Sequence, residues 1–300
     1  MGFENCHPAV NFIFYAAVLY GTIAFDHPIF LAIAYSGAFL YSIKIKGRKA
    51  FVFNLCLLPF VLIFALYYGS YHHFGVTILS HNLIGNNMTL ESFVYGLSIG
   101  FRAAAVIMWC ESLFKILTTD KIVYLFGAVS PHLSLFLTIL LRFIPRLQKE
   151  EKQINMARKG IGRGINQGSF GRRFLNGMSI FSMLITWTID ALAREADSMK
   201  SRGSRLRGRK AFSLYRFDNR DRAFVIAFFC GIILMVMAVI MGVTRMYYSP
   251  RIIWELPDAM GILTAMGYAF LCFLPLGLEA WTEYNFQRSK KAALEYTKNI

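Results

Sequence analysis

Arginine is the residue type best placed to do chemistry in this sequence. Its guanidinium stays charged and presents a planar fork of donors that fits a carboxylate or a phosphate. Arg102 lies near the middle of an apolar run, residues 92–114, where an ionisable group needs a partner or a watery cavity. Glu111 is on the same run but nine residues away, too far for direct pairing. Two readings of Arg102 stand: a structural arginine bonded to backbone carbonyls in a helix bundle, or a functional intramembrane charge. Arg158 and Arg202 each end a helical stretch, in Ala157-Arg158-Lys159 and Ser201-Arg202-Gly203. An arginine in a last turn meets the negative end of the helix dipole, and Gly203 suits a left-handed cap.

Other chemistries find less support. His72, His73 and His81 lie close in sequence, but a metal site wants more ligands at defined spacing. The five cysteines are far apart with no C-x-x-C, which points to neither a disulfide framework nor zinc. Gly160, Gly162 and Gly164 form GIGRG. No apolar strand precedes it and no G-x-x-x-x-G-K-S/T occurs, so a nucleotide fingerprint is not indicated and ATP hydrolysis by this chain is not expected. No Ser-His-Asp, Cys-His or paired-carboxylate constellation stands out. The expectation is a non-enzyme without cofactor or metal.

The elements that carry these arginines begin with the stretch 175–203. Met178, Phe181, Ile185, Ile189, Leu192, Ala196 and Met199 recur at steps of three or four, one face of a helix. Asp190 and Arg194 lie off that stripe with the acid four residues ahead, the favourable order for an ion pair. Around this stretch the chain is 56% hydrophobic, with the apolar residues in blocks, a membrane signature. Six spans are expected, at residues 8–25, 29–43, 50–74, 92–114, 223–243 and 260–281. The first lacks a positively charged leader and reads as a retained span. Pro59 predicts a kink in the third. Tyr247, Tyr248 and Trp254 on one side, and Trp281 and Tyr284 on the other, read as aromatic belts.

Charge gives the orientation. Residues 115–222 hold 21 of the 32 Lys and Arg against 8 of the 17 acids, as a cytoplasmic region should. Residues 75–91 carry almost no basic charge and read as an external loop. Two further apolar segments, 122–144 and 174–192, compete with the six-span count. If both crossed, the strongly basic loop 145–173 would be outside, against the positive-inside rule. Ser130-Pro131-His132 also splits the first into halves too short to span. Both are read as helices at the membrane–water boundary. The basic run 200–210, next to a span, suits anionic lipid headgroups rather than nucleic acid. The expected fold is thus an all-α integral membrane protein of about six transmembrane helices plus a cytoplasmic, interfacial coupling domain with two long helices. Its parts are four spans in 1–114, the coupling domain in 115–222, two spans in 223–282 and a basic cytoplasmic tail in 283–300.

The segment ALAREADSMKSRG, residues 191–203, resembles the end of the second coupling helix in the transmembrane T component of energy-coupling factor (ECF) transporters, the EcfT/CbiQ family. That family carries two cytoplasmic helices, each ending in a short Ala/Ser-Arg-Gly motif. The first copy resembles LLRFIPRLQKEEKQINMARKG, residues 140–160, with Lys159 where the family usually has Gly and Gly160 one place later. The resemblance is strongest over residues 102–203. It implies a non-catalytic subunit of an importer of vitamins or metal ions, in the plasma membrane of a prokaryote. It also implies two cytoplasmic ABC ATPase subunits and one small membrane substrate-binding subunit as partners. Ala157, Arg158 and Lys159, and Ser201, Arg202 and Gly203, would be the ATPase-coupling ends. The alternative is a solo membrane transporter or an integral-membrane enzyme, which needs an intramembrane polar constellation or an inverted repeat.

Overall fold

The computed structural model describes residues 3–72, 74–81, 87–203, 215, 217–253 and 258–298. His73, Gly85, Asn86, residues 204–210 of the basic run and Trp254 lie outside the described residues. The fold is all-α apart from one short ribbon, in two compact units: residues 1–118 with 215–300, and residues 119–214. The expected coupling domain, 115–222, began four residues earlier and ended eight later.

In the larger unit the local sequence starts each helix in a visible way. α1 (Pro8–Ala24) and α2 (Pro28–Lys46) both begin with proline in the first turn, where its missing N–H costs nothing. Each proline follows a histidine in extended conformation, the geometry a following proline favours. His7 Nδ1 accepts from Ala9 N at 3.3 Å and His27 Nδ1 from Ile29 N at 3.4 Å. Burial lowers the His7 pKa, against the raising effect of Asp221, which keeps that nitrogen an acceptor. Gly47, at φ 67°, turns the chain into α3 (Arg48–Tyr71), which continues through Pro59. α4 (Leu90–Ile116) is capped by Thr89, whose hydroxyl accepts from Ser92 N at 3.4 Å. α8 (Asn219–Ile240) opens on an Asp218/Asp221 capping box, and α9 (Ala259–Lys298) closes the chain.

α4 packs against α1, α2 and α3, and α9 against α2 and α8. α3 and α4 come close because α4 offers small residues four apart. A Cβ on Gly96 would lie 3.2 Å from Ala65 Cα, and one on Gly100 2.9 Å from Val61 Cγ1. Such small-residue stripes are how apolar helices pack without a hydrophobic driving force from water. Phe14, Tyr15, Tyr41, Trp109 and Phe228 form an aromatic core, with Trp109 meeting Phe14, Tyr15 and Tyr41 at 6.0–6.3 Å. Outward, Phe60, Ile63, Ile233, Ile240 and Phe270 are all well exposed, the surface of a helix that faces lipid.

The segment expected to be an external loop carries the ribbon: β1 (Ile78–His81) pairs antiparallel with β2 (Asn87–Thr89). It is pinned at its base, where Thr89 Oγ1 donates to Phe74 O at 2.6 Å and Thr77 N donates to the Glu91 carboxylate at 3.3 Å. Of the expected belt aromatics, Tyr247, Trp281 and Tyr284 are over 60% exposed, whereas Tyr248 is buried at 7%. Its hydroxyl has an internal partner, described below.

The smaller unit is three helices. The break expected at Ser130 separates α5 (Thr119–Val129) from α6 (Pro131–Gly160), and α7 (Phe170–Ser201) returns along α6. Phe143 of α6 stacks on Trp187 of α7 at 6.1 Å, and α7 buries Ile180 and Ala191. The stripe predicted from Met178 to Met199 lies on one continuous helix, but this chain does not cover most of it. Met178, Phe181, Ile185, Ile189 and Leu192 are each more than 40% exposed. Asp190 and Arg194 form no ion pair; the pair in α7 is Lys200 with Asp197 at 3.3 Å.

Among the described residues six helices are long and apolar enough to cross a membrane: α2, α3, α4, α7, α8 and α9. The count equals the expected one, but α7 takes the place of α1, an apolar helix of 17 residues. The apolar window of α7 is the least hydropathic of the six, and its last turns carry Asp190, Arg194, Glu195, Asp197 and Lys200. Topology reporters fused after Gly47, Gly168 and Lys298 should therefore all read the cytoplasmic side, with α7 lying along the boundary. A Lys298 reporter on the side opposite to Gly168 would mean that α7 crosses.

Candidate functional site

Three arginines were singled out from the sequence, and the structure gives each a different environment. Arg102, in α4, meets the three-residue connection between α1 and α2. Its Nη2 lies 2.5 Å from Asp26 Oδ1 and 3.3 Å from Phe25 O. The connection is also held from the other side: Asp26 N and His27 N both donate to Thr244 O at 3.0 Å, and Tyr248 Oη donates to Asp26 O at 3.3 Å. Burial pushes the Tyr248 phenol above its ordinary pKa, so it stays a donor. Arg102 thus meets a backbone carbonyl, as the first reading expected, and also a carboxylate, which neither reading named. Asp26 is the only acid between two apolar blocks in 8–43, and that isolation was the available signal.

Arg158 ends α6 turned inward. Nη1 donates to Ser179 Oγ of α7 at 2.6 Å and reaches Met183 Sδ at 3.8 Å, while Nε donates to Arg163 O at 3.3 Å. The glycines of GIGRG make the turn between the helices. The helix runs through Gly160, and the left-handed residue is Gly162, at φ 75°. Asn155 Oδ1 accepts from Ile165 N at 3.2 Å, and Asn176 Nδ2 donates to the carbonyls of Gly164 and Gln167 at 3.1 and 3.3 Å. Ala157 and Lys159 are exposed, and Lys159 O accepts from Gly162 N at 3.2 Å.

Arg202 caps α7 and stands outward. Its backbone N donates to Ser198 O at 3.3 Å and Gly203 N to Lys200 O at 3.0 Å, with Gly203 in the expected left-handed conformation, φ 77°. Ser201 Oγ turns back on Ser198 O at 2.8 Å. The Arg202 side chain is exposed and forms no ion pair among the described residues. It lies about two dozen residues along α7 from Ser179, so the two arginine-bearing ends are roughly 35 Å apart at 1.5 Å per residue. His72, one of the histidines considered for a metal, stacks on Tyr68 at 4.1 Å. Among the described residues no three His, Cys, Asp or Glu side chains gather.

Two consequences are measurable. Arg102→Ala and Asp26→Ala should each destabilise the purified chain by about 1.5–3 kcal/mol, the range for a hydrogen bond to a charged group. The double variant should lose less than the sum in thermal unfolding; strict additivity would mean that the two side chains do not act as a pair. Arg158→Ala should ease opening of the 161–169 turn by about 1 kcal/mol, or roughly fivefold faster amide exchange there. Arg202→Ala should leave that exchange unchanged; an equal effect would remove the distinction between the two ends.

No protein-family model matches this chain, and no curated protein matches it.

Proposed function

We propose that this chain is the non-catalytic energy-coupling subunit of an ECF-type ABC importer in the plasma membrane of a prokaryote. Two ATPase subunits would engage the ends of the α6–α7 hairpin, and a small membrane subunit would bind the vitamin or metal ion. The observation that carries the reading is the hairpin itself: two long helices, antiparallel, with an arginine at each end and about 35 Å between them. That separation suits two docking sites on two subunits rather than one. Arg202 supports it most directly, as an exposed guanidinium at a capped helix end with no carboxylate of its own. Arg158 has a divided role. Its Nε and Nη1 hold the hairpin, which leaves Nη2 to face a partner.

In this reading ATP draws the two ATPases together, and their movement carries the hairpin ends. A helix pair transmits such motion only if it is stiff, and the Phe143–Trp187 stack, the Asn176 bonds and the Arg158–Ser179 bond brace this one. The exposed apolar residues of α7, from Met178 to Leu192, would meet the substrate-binding subunit.

The test is co-purification from native membranes. The wild-type chain should carry two P-loop ATPases, and Arg202→Ala should weaken their retention by about 2–5 kcal/mol, the cost of leaving a docked carboxylate unpaired. Arg202→Lys should rescue poorly, because an ammonium lacks the planar fork. Lys290→Ala, in the tail, should have little effect. Full ATPase retention and substrate uptake by Arg202→Ala at matched membrane expression would sink the anchor assignment.

A further inference from the structure

The α6–α7 hairpin holds a feature that the two arginine-ended motifs do not explain. Between residues 139–149 of α6 and 191–202 of α7 lies a cleft of about 710 Å³. Five cations line it, Arg142, Arg146 and Lys149 from α6 with Arg194 and Arg202 from α7, against the single carboxylate of Glu195. Among the described residues none of the five forms an ion pair, and neither does Glu195. Like charges gathered around a concavity repel one another more strongly than the same charges spread over an open surface. The natural compensation is a bound anion.

The rest of the lining narrows the anion's chemistry. Ile139, Phe143, Ala191 and Met199 give the cleft an apolar floor. Arg146 lies over the Trp187 ring, 5.3 Å from its centroid, and Trp187 in turn stacks on Phe143. The aromatic pair therefore fixes one guanidinium beside the apolar floor. Cations above an apolar floor fit an amphiphile better than a fully hydrated ion. Met199 also belongs to the stripe of α7 whose members Met178, Phe181, Ile185 and Ile189 are exposed. A hydrocarbon chain leaving the cleft past Met199 would run onto a surface that already suits a bilayer.

We propose that this cleft binds the phosphate of an anionic phospholipid headgroup, with its acyl chain against the apolar floor. Basic pockets between helices at a membrane surface recognise such headgroups by charge and by hydrogen bonds to the phosphate oxygens. The proposal rests on the hairpin lying at the membrane boundary and is independent of the ATPases. Arg142, Arg146, Lys149 and Arg194 carry it, and Arg202 contributes charge without being needed.

The experiment uses the full chain in nanodiscs and follows amide exchange in peptides covering 139–149 and 191–202. Three conditions are compared: phosphatidylcholine alone, phosphatidylcholine doped with phosphatidylglycerol, and phosphatidylcholine with inorganic phosphate in the buffer. Saturable protection by phosphatidylglycerol, absent from the other two, is the expected result. Arg146→Gln and Arg194→Gln should each weaken it about fivefold, the effect of one cation near an anionic surface. Arg194→Lys should retain it, and Glu195→Gln, which removes the one opposing charge, should strengthen it. Equal protection by inorganic phosphate would overturn the lipid assignment, as would no protection at all or protection indifferent to the Gln variants. If the Gln variants shed ATPases while keeping lipid protection, the cations serve a protein partner and the proposal is wrong. Loss of ATPases on Arg202→Ala tests the coupling reading separately, since lipid protection should survive that change.

Discussion

A charge inside an apolar helix has to be matched, and in this protein Arg102 is matched by Asp26. The larger unit is arranged around that requirement. Asp26 sits in a connection of only a few residues, so pairing it with the middle of α4 brings the α1–α2 turn part-way down α4. Arg102 is about twelve residues, or some 18 Å, from the start of α4. The end of α1 thus meets Arg102 and Tyr248, while α4 continues for those twelve residues toward its own start. The same turn recruits the segment after α8, through Thr244 O and Tyr248 Oη. Two connections that are distant in sequence are thus fixed to the middle of α4 by one ion pair and the hydrogen bonds around it. Removing one charge would leave the other poorly solvated, which is why such pairs resist single changes more than double ones.

The hairpin shows a different use of the same side chain. Arg158 and Arg202 end helices of similar length and stand in similar sequence surroundings, yet one braces the turn and the other projects from a cap. The glycines account for this. Gly203 follows Arg202 directly and ends the helix there, so the side chain leaves at the tip. After Arg158 the left-handed glycine comes only at Gly162, and the extra residues wind back over the end of α6. Arg163 O then comes within reach of the Arg158 guanidinium. The delayed turn follows from Lys159 standing directly after Arg158 where Gly203 directly follows Arg202.

Much of the fold was legible because hydropathy and charge asymmetry are strong, additive signals. The helix boundaries at Ser130, Gly47 and Gly203 follow from proline and glycine, whose backbone restrictions are local. What depended on distant partners was not legible. The stripe from Met178 to Met199 is a correct helical period, but periodicity cannot say whether the apolar face is covered by this chain, by lipid or by another protein. Ile180 and Ala191 are the residues α7 buries, and neither lies on that stripe. Likewise the spacing of Asp190 and Arg194 permits an ion pair without requiring one, because an exposed pair gains little over two hydrated charges. Tyr248 was misplaced for a related reason: an aromatic beside a span suits an interface or a buried hydrogen bond equally well.

The placement of charge divides the molecule more sharply than its helices do. In the larger unit the cations that have partners are tied internally: Arg102 to Asp26, Lys44 to Glu283, and Lys46 to Glu111, which also accepts from Ser42. These pairs link α2 to α4 and to α9 and hold the bundle. Residues 119–214 hold 17 Lys and Arg against 6 Asp and Glu, a surplus of 11 of the chain's 15. The one ion pair among their described residues is Lys200–Asp197. A surplus of this size favours external anions, whether carboxylates on a protein or phosphates at a membrane. The two readings of the hairpin draw chiefly on different parts of that surplus: Arg202 at the helix tip for a protein partner, and the other four cleft cations for lipid. A hairpin anchored to the membrane along its length and gripped at its ends would turn motion at the ends into displacement against the bilayer.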